Sequence, residues 1–187
     1  MTTIYLTRHG ETEENLAQIL QGHLPGTLTP NGIRQADELK AQLKDIRFDA
    51  IVCSDLQRAK DTTRIIAQAH DATPVIETTL LRERDWGALT GASIPSIDRS
   101  KPFPEDTETV EQMFERAHRF LEWADAEFHG QRVLAVAHGL MNRVILAALE
   151  GKTIQDIKPF LNAEYRIINI QERTGNYSSS LDTQATN

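Results

Sequence analysis

The chain has 187 residues, 40% hydrophobic and 25% charged, values that suit one globular domain with a well-buried core. Twenty basic against 27 acidic residues leave a net charge of −7, which excludes a broad attraction to nucleic acid or anionic membrane; an anionic substrate would need a locally basic pocket. A single cysteine, Cys53, excludes an internal disulfide, the N-terminus lacks a basic-then-apolar signal pattern, and no apolar run approaches the ~20 residues that span a bilayer, so the expectation is a cytoplasmic protein.

In chain order, residues 4–6 form a short apolar run of β type that leads straight into Arg8-His9-Gly10-Glu11-Thr12. Thr29 and Pro30 supply an N-cap and a proline at the first helical position. Ile33, Ala36, Leu39 and Leu43 follow on one helical face. Residues 48–53 read as a second buried strand, after which Ser54 or Asp55 can cap a helix running to about Ala69. Residues 73–76 form a short third strand. The stretch 90–106 holds Pro95, Pro102 and Pro104 and reads as one long loop, a type that is commonly functional or disordered.

Thr109-Val110-Glu111-Gln112 matches a capping box. It opens a long helix with Val110, Met113, Ala117, Phe120, Leu121 and Ala124 at helical spacing. Residues 133–137 are the clearest buried strand, residues 139–149 are again helical, and residues 165–170 alternate as an edge strand would. Strands alternating with helices predict an α/β fold, a three-layer α/β/α sandwich with a mostly parallel central sheet. One domain is expected over residues 1–173, followed by a polar, frayed tail at 174–187.

Chemistry-bearing residues follow three of the strands: Arg8 and His9 the first, Arg58 the second, His138 the last parallel one. Ligands of open parallel sheets bind outside the carboxyl ends of the strands, so these residues are expected on one rim. Arg58 falls in a first helical turn, where a cation opposes the helix dipole by a few tenths of a kcal/mol up to ~1. A bound anion reverses that sign, because free N–H groups, dipole and guanidinium then act together. A surface Arg paired with Asp55 or Asp61 is the plainer alternative. His138-Gly139 offers a close backbone approach to a ligand, or a core histidine at a strand end.

Arg8-His9-Gly10-Glu11-Thr12 with Asn15 resembles the signature of the histidine phosphatase superfamily, also called the phosphoglycerate mutase-like family. The similarity continues through Gln21-Gly22, Leu28-Thr29 with Gly32 and Gln35-Ala36, and Ser54-Asp55-Leu56 with Arg58-Ala59 and Thr62. Leu81-Arg82-Glu83 with Gly87 and Gly91, then Ala137-His138-Gly139, complete a set spanning about residues 4 to 145. The resemblance implies a phosphoglycerate mutase-like fold and a phosphatase that works through phosphohistidine on His9. It implies that Arg8, Arg58 and a protonated His138 hold the phosphoryl oxygens, with Asn15 and Gly139 in phosphate-binding positions, and that Glu83 is the proton donor and acceptor. Glu11, Asp85 and Glu108 are the other acids within plausible reach.

No cofactor and no metal are expected, because the cations supply the positive charge that phosphoryl transfer needs. The expected partner is a small-molecule phosphate ester, with neither nucleic acid nor membrane. Two stretches depart from the family pattern, His23-Leu24-Pro25-Gly26-Thr27 and Asp106-Thr107-Glu108-Thr109, and both would border the substrate. The segment between the acid loop and the long helix is shorter than in the cofactor-dependent mutases, which favours hydrolysis. A phosphoglycerate mutase and a non-catalytic phosphate-binding protein of the same fold are the alternatives. Arg82, Arg84, Arg99, Lys101 and His23 are candidate substrate contacts or solvated charges. His70, His118 and His129 are expected at the surface, and Cys53 in the core.

Overall fold

Successive residues of the first strand, β1 (Thr2–Arg8), enter two different cores, as the period-2 pleat requires: Ile4 and Leu6 on one face, Tyr5 on the other. The computed structural model describes residues 1–170, so the expected domain end at 173 and the polar tail lie outside the described residues. β2 (Ala50–Ser54) and β4 (Arg132–Ala137) repeat the alternation. Ala50, Val52, Val133 and Ala135 join Ile4, while Ile51, Cys53, Leu134 and Val136 join Tyr5.

With β3 (Val75–Thr78) and β5 (Tyr165–Ile170), these strands form one sheet in the order β3-β2-β4-β1-β5. All pairs are parallel except β1 with β5, so β5 is the antiparallel edge strand that its alternating pattern predicts. The face bearing Tyr5 packs on α2 (Pro30–Leu43) and α3 (Gln57–Ala67) through Leu39, Leu43, Ala59 and Ile66. The opposite face packs on α4 (Val110–Glu127) and α5 (Gly139–Glu150) through Met113, Phe120, Leu121 and Ile145. This is the expected three-layer architecture; each fully buried large apolar side chain contributes about 1.5–3 kcal/mol relative to its exposed state.

Helix starts follow their chemistry. Thr29 caps α2 by accepting from Gly32 N, ahead of Pro30 at the first position, and the Thr109–Gln112 capping box opens α4. The expected cap of α3 is corrected. Leu56 occupies the N-cap with no side-chain bond, Ser54 Oγ accepts from Leu56 N before the helix starts, and Asp55 is bound to Arg82 instead. The second and third strands each lie about two residues later than the apolar runs suggested.

The proline-rich stretch is only partly irregular. Leu20 N donates to Ala92 O, Gly91 N to Leu20 O, and Ile94 N to Gln18 O, and a 3-10 turn covers Ile94–Ser96. His70 is not at the surface: it is 8% exposed and packs edge-on against Phe48. No helix among the described residues is long and apolar enough to cross a membrane.

Candidate active site

The parallel register sets Arg8 beside Ala137 and Cys53 beside Val136, so β1, β4 and β2 end on one rim. The chain leaving β1 is held tightly there. His9 N donates to Ala137 O at 3.1 Å, and Gly10 N donates to Thr62 Oγ1 at 3.0 Å. Only glycine suits position 10, since a Cβ there would lie 2.5 Å from the Gly32 carbonyl oxygen.

The His9 ring is 3% exposed, and its Nδ1 lies 2.7 Å from the Gly10 carbonyl oxygen. A carbonyl only accepts, so Nδ1 carries the proton and Nε2 keeps a lone pair. Burial first, then the guanidiniums of Arg58 and Arg8, hold the His9 pKa well below 6.5, so the imidazole is neutral at neutral pH.

Arg58, in the first turn of α3, is 1% exposed. Its Nε donates toward His9 Nε2 at 3.3 Å, Nη1 to the Leu24 carbonyl at 2.6 Å and Nη2 to the Gly22 carbonyl at 2.9 Å. Burial lowers its pKa to about 10, which leaves it a cation at pH 7. Arg8 donates from Nη1 to the Phe160 carbonyl at 2.8 Å, and its buried Nε finds no partner among the described residues. The Arg8 side chain runs against Gly139, where a Cβ would sit 3.3 Å from Nε.

His138 stands at the N-cap position of α5, fully buried, with Nε2 2.8 Å from Ser54 Oγ. Its ring centroid is 5.2 Å from that of His9. Burial first, and then Arg58 and His9, push its pKa well below 6.5. This direction runs against the expected protonated His138; among the residues expected to hold the phosphoryl oxygens, Arg8 and Arg58 are the cations that border the pocket.

Glu83 reaches the same place from the loop after β3. The α5 N-terminus has no side-chain cap of its own, and Glu83 supplies the acceptors: Oε2 from Leu140 N and Oε1 from Met141 N, both at 3.1 Å. Arg8, His9, Arg58, Glu83, Asn15 and Gly139 all border one pocket of about 280 Å³. His138 lies buried behind His9 rather than on its wall. Asn15 closes the capping box of the short helix α1 (Glu13–Leu16), its Oδ1 accepting from Thr12 N and from Asn162 Nδ2.

The rival acids are committed elsewhere. Glu11 accepts from Thr29 Oγ1, Asp85 from Gly87 N, and Glu108 from Arg116; none borders the pocket. The loose cations are resolved too. Arg82 makes a bidentate pair with Asp55, and Arg84 donates to the Glu108 carbonyl and lies over Trp86. Lys101 pairs with Asp98, and Arg99 is exposed. His23 binds the Glu83 carbonyl rather than facing the pocket.

Sequence reasoning missed Ile19, Ile94, Phe160 and Arg143 on the pocket wall. Only Arg143 left a signal, one helical turn after Gly139 on the same face of α5. Among the described residues, no group of three or more His, Cys, Asp or Glu side chains is placed to hold a metal ion.

The chain matches the family model described as histidine phosphatase superfamily (branch 1) over residues 4–183. It is 36% identical over 155 residues to "Uncharacterized phosphatase PhoE" of Bacillus subtilis, which covers 81% of this chain and 79% of that one. It is 31% identical over 193 residues to "Metal-independent phosphoserine phosphatase" of Arabidopsis thaliana, covering 92% and 78% respectively. The solved structure of Bacillus stearothermophilus YhfR superposes with a TM-score of 0.89 at 25% identity, covering 100% of this chain and 98% of that chain. The fold and these similarities together define a phosphatase. The chain belongs to the histidine phosphatase superfamily.

Proposed function

We propose that the protein is a metal-independent phosphomonoesterase that hydrolyses small-molecule phosphate esters through a phosphohistidine on His9. The observation that carries this reading is the geometry of His9: a neutral ring with its Nε2 lone pair at the pocket, beside the buried Arg58 guanidinium.

In the first step the Nε2 lone pair forms the N–P bond as the ester P–O bond breaks. Glu83, on the same pocket, gives its carboxyl proton to the departing oxygen. Arg8 and Arg58 take up the charge of the phosphoryl oxygens, and their forks suit that geometry. In the second step the Glu83 carboxylate takes a proton from water. The water oxygen bonds to phosphorus, the N–P bond breaks, and inorganic phosphate leaves with His9 restored. Such a placed acid and base contributes about 10²–10⁴-fold. The guanidiniums do the electrostatic work a metal ion does elsewhere.

The test is phosphate release from a panel of esters (3-phosphoglycerate, sugar phosphates, nucleotides, an aryl phosphate and a phosphopeptide) with a chelator present. Release by wild type, with none from His9→Ala and an acid-labile phosphoenzyme only in wild type, is expected. Dependence on added metal, or full activity of His9→Ala, would overturn the mechanism. Interconversion of phosphoglycerates without phosphate release would reassign the protein as a mutase.

A further inference from the structure

The loop that carries Glu83 is gripped from behind by two residues that do not border the pocket. Arg116 projects from the second turn of α4, and Glu108 lies just before that helix; both side chains are 15% exposed. Arg116 Nη1 donates to the Arg82 carbonyl at 2.6 Å and to the Leu80 carbonyl at 3.1 Å. Its Nε and Nη2 form a bidentate pair with the Glu108 carboxylate at 2.9 and 2.8 Å. Glu108 in turn accepts from Asp85 N at 3.1 Å, takes Arg84 Nε on its carbonyl at 2.7 Å, and donates from its N to the Asp85 carbonyl at 2.8 Å.

Residues on both sides of Glu83 are therefore fixed to the start of α4: Arg82 through Arg116, and Arg84 and Asp85 through Glu108. His23 adds a third hold, on the Glu83 carbonyl itself at 2.9 Å. Arg116 and Glu108 border a separate cleft of about 550 Å³ on the far side of the loop. Neither side chain borders the pocket at His9, so what they bind directly is the loop.

We propose that Arg116 and Glu108 are positioning residues that set the pose of Glu83 as proton donor, an inference resting on the role given to Glu83 above. A shared guanidinium fork is suited to this. It binds two carbonyls and a carboxylate through donors fixed in one rigid fork, where a lysine's three donors radiate from a single rotating nitrogen and cannot form the bidentate pair. A displacement of a catalytic group by about 1 Å is enough to cost about 10²-fold. The loss should appear where proton donation matters most, in substrates whose leaving group is poor.

The experiment compares phenyl phosphate with 4-nitrophenyl phosphate, two aryl esters of similar shape and different leaving-group acidity, on wild type, Arg116→Met, Arg116→Lys, Glu108→Gln and Glu83→Gln. Arg116→Met is expected to lower kcat/KM, which reports the P–O cleavage step alone, about 30-fold on phenyl phosphate but only about threefold on the nitrophenyl ester, a share of the general-acid effect. Arg116→Lys and Glu108→Gln should fall between. In the Glu83→Gln background, Arg116→Met should steepen the contrast no further. The ratio of the two rates is independent of how much of a variant is folded, so a folding defect cannot imitate the result. Equal losses on both esters from Arg116→Met, with Glu83→Gln discriminating between them, would overturn the positioning role alone. Equal losses from Glu83→Gln would overturn the acid assignment and this inference with it.

Discussion

Arg58 Nε points at His9 Nε2 across 3.3 Å, toward the ring nitrogen left free once Nδ1 is committed to the Gly10 carbonyl. A buried cation in that position opposes protonation of the ring and offers charge to an anion that the ring attacks. Under the proposed mechanism, one residue would keep the nucleophile in its reactive form and stabilise what it reacts with.

Arg58→Lys tests whether the fork or the charge matters. Lysine keeps a cation but cannot hold Gly22 O, Leu24 O and His9 Nε2 together as the guanidinium does. A fall in kcat/KM of about 10²–10³-fold is expected, the range for loss of a preorganised charge-stabilising donor. Steady-state kinetics on an aryl phosphate gives the value, and a change below about threefold would show that charge alone suffices.

Stability should depend on pH through the two buried histidines. Both have folded-state pKa values well below 6.5. As pH falls through the unfolded value, the unfolded chain takes up protons that the folded protein refuses. Stability is therefore highest above pH 6.5 and declines below it, by up to about 1.4 kcal/mol per pH unit for each histidine. Urea melts at stepwise pH from 7.5 to 5.5 should show this slope, and His9→Asn should remove about half of it. A flat profile in wild type would mean that the folded protein protonates these rings freely.

Gly139→Ala separates activity from stability. The added Cβ would lie 3.3 Å from Arg8 Nε and 3.4 Å from its Cζ, so the guanidinium must shift by a few tenths of an ångström. As the first residue of α5, alanine itself is favoured over glycine by up to about 1 kcal/mol. The expected variant melts within about 2 °C of wild type or above it, yet loses about tenfold in kcat/KM, since small misplacements of a phosphate-binding group are costly.

Gly32→Ala should fail for the opposite reason. Its Cβ would fall 2.0 Å from the Glu11 carbonyl oxygen, and backbone cannot swing aside as a side chain can. The loop after β1 would have to separate from α2, a loss of about 4 kcal/mol or more. Thermal denaturation of the purified variant checks this; wild-type stability would mean that the two segments are not in contact.

Local patterns carried most of the architecture in this chain, because they are local physics. The pleat and the helical repeat appear as apolar residues at their own periods, and the caps at Thr29 and Thr109 satisfy backbone groups only three residues away. Arg8, His9, Arg58 and His138 were legible as residues following strands, since a parallel sheet gathers such ends on one rim. Tertiary structure alone decided what depends on burial and on distant partners. The α3 cap departed from its sequence pattern because Arg82, 27 residues on, claims Asp55. The His138 pKa is pushed down because the fold removes it from water near the guanidiniums of Arg58, Arg116 and Arg8, a desolvation no sequence displays. Glu83 meets Leu140 and Met141 across 57 and 58 residues, and Arg116 reaches Arg82 across 34, contacts set by how the layers pack. The residue types at the site follow from the sequence; their protonation and aim follow from the environment that only the folded chain creates.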